Sequence, residues 1–131
     1  MVDIDLLGSF HVLRSAFQYL KKPGSSVINI SAPQAFVPMP MQSHVCAAKA
    51  GVDMLTRTLA LEVAMRGITV NAVAPGYVMT PMQRAEYSDE MLAEVNRKIP
   101  LNRHAEPAEI AATASGIAVG GAERSASRKM T

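Results

Sequence analysis

The sequence has little cysteine, no tryptophan and few charged residues. Cys46 is the one cysteine among 131 residues, which excludes an internal disulfide framework and a cysteine-rich zinc site, so no metal site is expected. Only 18% of the residues are charged and 49% are hydrophobic, the opposite of the balance found in disordered proteins. A net charge of +2 argues against nucleic-acid binding, which only the basic residues Arg124, Arg128 and Lys129 suggest. The composition indicates one globular domain, and the single cysteine fits a reducing compartment.

Charged residues are absent from residues 23–48, yet this stretch does not predict a membrane span. It contains four prolines and several side-chain amides, which break helices and are costly to bury in hydrocarbon. The N-terminus lacks the basic segment and apolar core of a signal peptide. We therefore expect a cytoplasmic protein with no membrane partner and no nucleic-acid partner.

The spacing of apolar residues predicts helices alternating with strands. A helix is expected over 3–20, where apolar residues recur every three or four positions, and Lys21 and Lys22 suit its C-terminal end. A more apolar helix is expected over 43–65, along the stripe formed by Val45, Ala48, Val52, Leu55 and Leu59. Short apolar runs predict strands at 26–30 and 68–73, and further helices are expected near 88–97 and 107–119. This order is typical of a parallel α/β sheet with crossover helices.

Two segments carry a resemblance to a known family. Residues 49–62, Lys-Ala-Gly-Val-Asp-Met-Leu-Thr-Arg-Thr-Leu-Ala-Leu-Glu, and 67–76, Gly-Ile-Thr-Val-Asn-Ala-Val-Ala-Pro-Gly, are similar to the active-site helix and following strand of the short-chain dehydrogenase/reductases. The resemblance covers about 2–119 and implies a partial Rossmann-like, doubly wound parallel sheet. The family's glycine-rich pyrophosphate turn has no counterpart in the sequence. We therefore expect the catalytic half of such a domain over 1–119, truncated at both ends, and a polar, frayed tail over 120–131.

The usual catalytic set of this family is Asn, Ser, Tyr and Lys, and only the lysine, Lys49, is kept. Val45 stands at the tyrosine position, four residues before Lys49. Ala32 stands at the serine position with Ser31 beside it, and Asp5 stands at the asparagine position. Because a valine cannot donate a proton to a carbonyl oxygen, a ketone reductase of the common mechanism is not expected.

These departures resemble a subgroup, the peroxisomal type of 2,4-dienoyl-CoA reductase and its bacterial relatives. The similar positions are Asp5, Ala32 after Asn-Ile-Ser, and His44 five residues before Lys49. The resemblance implies reduction of an enoyl- or dienoyl-CoA-like thioester with NADP(H) or NAD(H), in fatty acid metabolism. In that reaction a thioester enolate is stabilised and then protonated at carbon, which a water and an acid group can do without a tyrosine. The alternative is a non-catalytic family remnant that acts only in association with a partner chain.

The resemblance also implies roles for single residues. Lys49 is expected to contact the nicotinamide ribose, and Asp5 to orient Lys49 or a catalytic water. A carboxylate near a helix N-terminus is the simpler alternative for Asp5. His44 is expected to contact substrate or relay a proton, unless it is merely structural.

Binding residues follow from the same resemblance. Cofactor contacts are expected from Lys49, Pro75, Gly76, Val78 and Thr80, and substrate contacts from Ser31, Ala32 and Gln34. The partners expected are an acyl thioester and a second copy of the chain, which would associate through the helices at 3–20 and 43–65.

Overall fold

The computed structural model describes residues 1–20 and 23–127, with side chains as far as Gly120. Helices dominate the architecture, and two strands lie between them. In chain order the elements are a π-helical segment (Val2–Gly8), α1 (Ser9–Ala16), a 3₁₀ turn (Phe17–Tyr19), β1 (Ser26–Ile30), a 3₁₀ turn (Pro33–Ala35), α2 (Ser43–Val63), a 3₁₀ turn (Ala64–Arg66), β2 (Thr69–Val73), α3 (Pro81–Glu86), α4 (Asp89–Lys98) and α5 (Pro107–Ser127).

Strands β1 and β2 form a parallel pair that α2 connects as a crossover. Their register runs from Ser26 opposite Thr69 to Ile30 opposite Val73. Helices α2 and α5 both pack against the two strands. The structure thus confirms the predicted parallel α/β unit, and it places the C-terminal ends of both strands at the same edge of the sheet.

The core lies where the C-terminal half of α2 meets β2. Val63, Ile68 and Val70 are buried there. The partly buried side chains that pack against them come from the first helical region, from β1 and from α2: Phe17, Leu20, Val27, Leu59 and Ala60. The apolar periodicity seen in the sequence therefore orients α2 correctly. Gly67, at φ 66°, ends the 3₁₀ turn after α2 in a left-handed conformation that suits glycine.

A close approach of backbone and side chain joins the N-terminal segment to α2. A Cβ atom built on Gly51 would lie 2.8 Å from Leu6 Cδ2, inside van der Waals contact. Because Gly51 has no side chain, Leu6 can pack directly on the helix backbone. This contact determines where the neighbouring Asp5 lies.

The structure changes several predicted boundaries. The single helix expected over 3–20 consists of a π-helical segment, α1 and a 3₁₀ turn, and α3 was not predicted at all. Helix α5 continues to Ser127 instead of ending at Val119, so the expected frayed tail is helical over much of its length. Lys21, Lys22, Arg128 and Lys129 lie outside the described residues, as does the side chain of Arg124.

Candidate active site

Lys49 and Asp5 meet at the C-terminal end of β1. The Lys49 Nζ lies 3.8 Å from Asp5 Oδ1 and donates a hydrogen bond to the Ile30 carbonyl oxygen at 3.3 Å. The two side chains are only 17% and 22% exposed. Three elements supply this cluster, because Asp5 is on the π-helical segment, Ile30 ends β1 and Lys49 is in the second turn of α2.

The Asp5 carboxylate uses one oxygen for Lys49 and leaves the other without a protein partner. Its Oδ2 is buried and has no hydrogen-bond partner among the described residues. At 3.8 Å and an effective dielectric constant of about 20, the attraction between the two charges is about 4 kcal/mol before desolvation is subtracted. The Oδ2 atom is the acceptor of this ion pair that the described protein groups leave unused.

A second polar contact holds α2 on β1 two helical turns further along. Asn29 Nδ2 donates to Thr56 Oγ1 at 2.8 Å, and the Thr56 hydroxyl donates to the Val52 carbonyl oxygen at 2.8 Å. Both Asn29 and Thr56 are buried. Together with the Lys49 contact to Ile30, this hydrogen bond fixes the position of α2, and so of Lys49, along the direction of β1.

The family's tyrosine and serine positions near Lys49 carry neither a phenol nor a hydroxyl group in this chain. Val45 and Ala32, at the tyrosine and serine positions of the family, are partly buried aliphatic residues. Ser31 is buried and its backbone N–H binds the Val73 carbonyl oxygen at 2.8 Å, while its Oγ has no partner in the described part of the chain. The titratable side chains that the structure brings together at this end of β1 are those of Lys49 and Asp5.

The remaining residues predicted near the substrate lie on either side of the loop before α2. Gln34 Nε2 donates to Gln42 Oε1 at 3.1 Å, which connects the 3₁₀ turn after β1 to the residue preceding α2. His44 is exposed in the first turn of α2. Gln34 thus braces this loop, and His44 is open to a ligand.

The loop that follows β2 is hydrogen-bonded to Ala105 on one side, and the backbone N–H and C=O of its residue Val78 face the other side. Met79 N–H donates to the Ala105 carbonyl oxygen at 2.8 Å, and Ala105 N–H donates to the Tyr77 carbonyl oxygen at 2.9 Å. In this parallel bridge the intervening Val78 directs its N–H and C=O to the opposite side. Thr80 caps α3 by accepting a hydrogen bond from the Gln83 N–H at 3.3 Å, so its hydroxyl proton is still available to a ligand.

Sequence reasoning missed the segment that supports this loop. Arg103 makes a bidentate ion pair with Glu109 at 2.7 and 2.8 Å, which lowers the pKa of Glu109 from 4.5 to about 2. His104 is buried and its Nδ1 lies 2.7 Å from Asn96 Oδ1. The sequence carries no signal for these contacts beyond the polar character of residues 102–109, because each contact joins separate elements.

The described residues include no group of three or more His, Cys, Asp or Glu side chains that could hold a metal ion. Within the same part of the chain, no helix has the length and apolar character needed to cross a membrane.

Comparison with known sequences finds relatives that are all named as dehydrogenases or reductases. The family profile described as Enoyl-(Acyl carrier protein) reductase matches residues 1–124. The chain is 41% identical over 122 residues to 3beta-hydroxysteroid dehydrogenase 1 of Eggerthella lenta, covering 90% of this chain and 46% of that protein. It is 40% identical over 119 residues to the 3-oxoacyl-(acyl-carrier-protein) reductase FabG of Staphylococcus aureus, covering 90% of this chain and 48% of the relative. The chain thus spans about half the length of the curated relatives it matches.

Solved structures show the same relationship. A short-chain dehydrogenase/reductase from Brucella melitensis superimposes with a TM-score of 0.82 at 30% identity, over 89% of this chain and 46% of that one. An actinorhodin polyketide ketoreductase determined with NADPH gives a TM-score of 0.77 at 30% identity, over 91% and 51%. These likenesses confirm the predicted partial Rossmann-like α/β fold. The chain belongs to the short-chain dehydrogenase/reductase family.

Proposed function

We propose that this chain supplies the catalytic side of an NAD(P)(H)-dependent, cytoplasmic oxidoreductase that reduces an enoyl- or dienoyl-CoA-like thioester. The observation that carries the proposal is the Asp5–Lys49 pair, 3.8 Å apart, in a site where Val45 and Ala32 replace the family's tyrosine and serine. A site with a lysine ammonium and a carboxylate that can hold a water, but no phenol, suits protonation at carbon better than protonation of a carbonyl oxygen.

The residues present fit a nicotinamide cofactor. Lys49 offers an ammonium donor, Val78 offers a backbone N–H and C=O that its own bridge leaves free, and Thr80 offers a hydroxyl proton. Pro75 and Gly76 bring the chain from β2 to these groups. When bound, a reduced nicotinamide supplies the hydride.

The chain's own side chains stabilise the negative charge of the enolate and supply the proton that is added at carbon. Lys49 puts a positive charge next to the site in which the enolate develops, and the surrounding partial burial strengthens that stabilisation. Asp5 holds Lys49 through Oδ1, and its unpartnered Oδ2 orients a water by accepting one of its hydrogen bonds. That water gives its other proton to the substrate carbon, the Lys49 ammonium returns a proton to the hydroxide that is left, and Lys49 regains its proton from solvent. Ser31, Ala32, Gln34 and His44, which lie on either side of the loop before α2, are the residues that we propose contact the acyl thioester.

The test compares two substrates in a polypeptide that joins this chain to a glycine-rich cofactor-binding half. NADPH oxidation is followed with a 2,4-dienoyl-CoA and with a 3-ketoacyl-CoA, the latter because curated relatives include a 3-oxoacyl reductase. We expect turnover of the diene alone. Turnover of the ketone but not the diene would refute the proposed substrate class.

Two substitutions test the proposed roles in the same assay. Lys49→Met should lower turnover by about 10² to 10³, the usual effect of losing one electrostatic contact in the transition state. Asp5→Asn should lower turnover while the protein stays folded. Lys98→Met, which removes a lysine on the exposed surface of α4, is the matched control and should retain full activity. Full activity in Lys49→Met would overturn the mechanism.

A second candidate is a non-catalytic family remnant that acts only in association with a partner chain, and exposed apolar residues support the association. Ile4 and Val12 are 76% and 67% exposed in the N-terminal helices. Leu61 near the end of α2 is 81% exposed, and Met65 in the 3₁₀ turn that follows is 97% exposed. Such surfaces are typical of protein interfaces, so we propose a homo-oligomer formed through the helical regions 3–20 and 43–65. Light scattering should detect a dimer or larger species that Leu61→Glu dissociates, whereas a monomer at high concentration would contradict this proposal.

A further inference from the structure

A buried histidine connects the loop after β2 to helix α4. His104 is 4% exposed, and its Nδ1 lies 2.7 Å from the side-chain oxygen of Asn96 in α4. Because an amide oxygen can only accept, Nδ1 is the donor in this contact. The same ring packs edge-to-face on Tyr77, with centroids 5.7 Å apart.

The backbone next to His104 is hydrogen-bonded to the loop that follows β2. The neighbouring Ala105 makes both hydrogen bonds of the bridge to Tyr77 and Met79, and the His104 carbonyl oxygen accepts from Arg103 Nη1 at 3.0 Å. Ala105 follows His104 directly in the chain, so an anchor on the His104 ring also restrains the residue that bridges to the loop.

The cost of burying this ring indicates a role beyond filling space. His104 Nε2 is buried without a hydrogen-bond partner among the described residues. A buried polar atom left unpaired is destabilising, and an apolar side chain of similar size would avoid that cost. The imidazole therefore contributes through the hydrogen bond that its Nδ1 makes with Asn96.

We propose that His104 is a positioning residue, which fixes the Val78 backbone for the cofactor by anchoring the 103–105 segment to α4. This inference rests on the proposed function, since it assigns the Val78 backbone a cofactor. His104 itself acts only through Ala105, at a distance from the reacting atoms.

The variants separate the Nδ1 contact from ring volume. His104→Leu removes the donor, and Asn96→Leu removes the acceptor. His104→Asn keeps an N–H donor near the place of Nδ1 and should rescue the contact. Lys98→Met alters the exposed surface of the same helix α4 and serves as the control.

Residue-resolved amide hydrogen exchange on the chain as it exists is the first measurement. We expect the Met79 and Ala105 amides to exchange about three- to tenfold faster in His104→Leu and Asn96→Leu, the factor expected for one lost hydrogen bond. The double variant should be no faster than either single one, and His104→Asn and Lys98→Met should match the unsubstituted chain. The Val52 amide, buried in the middle of α2 and hydrogen-bonded within the helix, reports on global unfolding and should not change. Unchanged Met79 exchange in His104→Leu, or equal acceleration of Val52, overturns the proposal.

The second measurement uses the polypeptide that carries a cofactor-binding half. There His104→Leu should raise the KM for NADPH about three- to tenfold at nearly constant kcat, and His104→Asn should restore it. A fall in kcat with unchanged KM also overturns the positioning role. If the unsubstituted polypeptide does not oxidise NADPH, the proposed function fails. If the hydrogen-exchange result is not as expected, the positioning role of His104 fails, so the two failures are distinguishable.

Discussion

Replacing Thr56 by valine tests how firmly α2 is held on β1. Valine has nearly the shape of threonine, so Thr56→Val removes the hydroxyl without opening a cavity. The buried Asn29 Nδ2 then loses the acceptor that lies 2.8 Å away. The Val52 carbonyl loses little, because in an α-helix it also accepts the backbone N–H four residues on.

The cost is therefore that of one buried donor left unpaired. We expect the free energy of unfolding to fall by about 1 to 3 kcal/mol. For a chain of this length, that corresponds to a decrease in Tm of about 4 °C for each kcal/mol.

Urea and thermal unfolding, followed by circular dichroism, measure this change. Thr56→Ser keeps the hydroxyl and should lose no more than about 1 kcal/mol from the missing methyl group. Thr58→Val, exposed on the same helix, should leave the stability within about 0.5 kcal/mol. If Thr56→Val were as stable as Thr58→Val, the Asn29–Thr56 bond would not be what holds α2 on the strand.

Three further predictions concern packing, helix propensity and pH. Gly51→Val should destabilise by about 1 to 3 kcal/mol, because its side chain would enter the space of Leu6 and push Asp5 away from Lys49. Gly116→Ala should stabilise α5 by about 0.5 to 1 kcal/mol, since a Cβ there meets nothing within 4 Å. The Glu109 carboxylate, whose pKa is lowered from 4.5 to about 2, should stabilise the fold above about pH 4.5 and lose that contribution as the pH falls towards 2. Thermal unfolding measures all three, and Glu109→Gln should remove that part of the pH dependence.

Each of these predictions has its own contrary result. Ala50→Val, at an exposed neighbour of Gly51, should be nearly neutral, so equal losses in both variants would contradict the close approach of Leu6. A lower Tm in Gly116→Ala would show that the glycine is needed for its conformation. Identical pH profiles for the unsubstituted chain and Glu109→Gln would mean that solvent screens the exposed Arg103 ion pair completely.

Local periodicity was enough to predict the main elements. The strand at 26–30 matches β1, and the apolar stripe through Ala48 and Val52 is the buried side of α2. The π-helical start of the chain was missed because its residues have the same apolar spacing as an α-helix. Helix α3 was missed because six residues give too short a period to read, although Thr80 and Pro81 are good start signals.

The sequence by itself determined the α/β order, the family resemblance and the substitution of Asp5, Ala32 and Val45 in the usual catalytic set, since these depend on residue identity and local spacing. Only the tertiary structure decided which distant groups meet. It brought Asp5 to 3.8 Å from Lys49, joined His104 to Asn96, and bound Val78 to Ala105. The physical reason is that such contacts depend on how helices pack on the strands, as with Leu6 on Gly51, and local spacing carries no information about that packing.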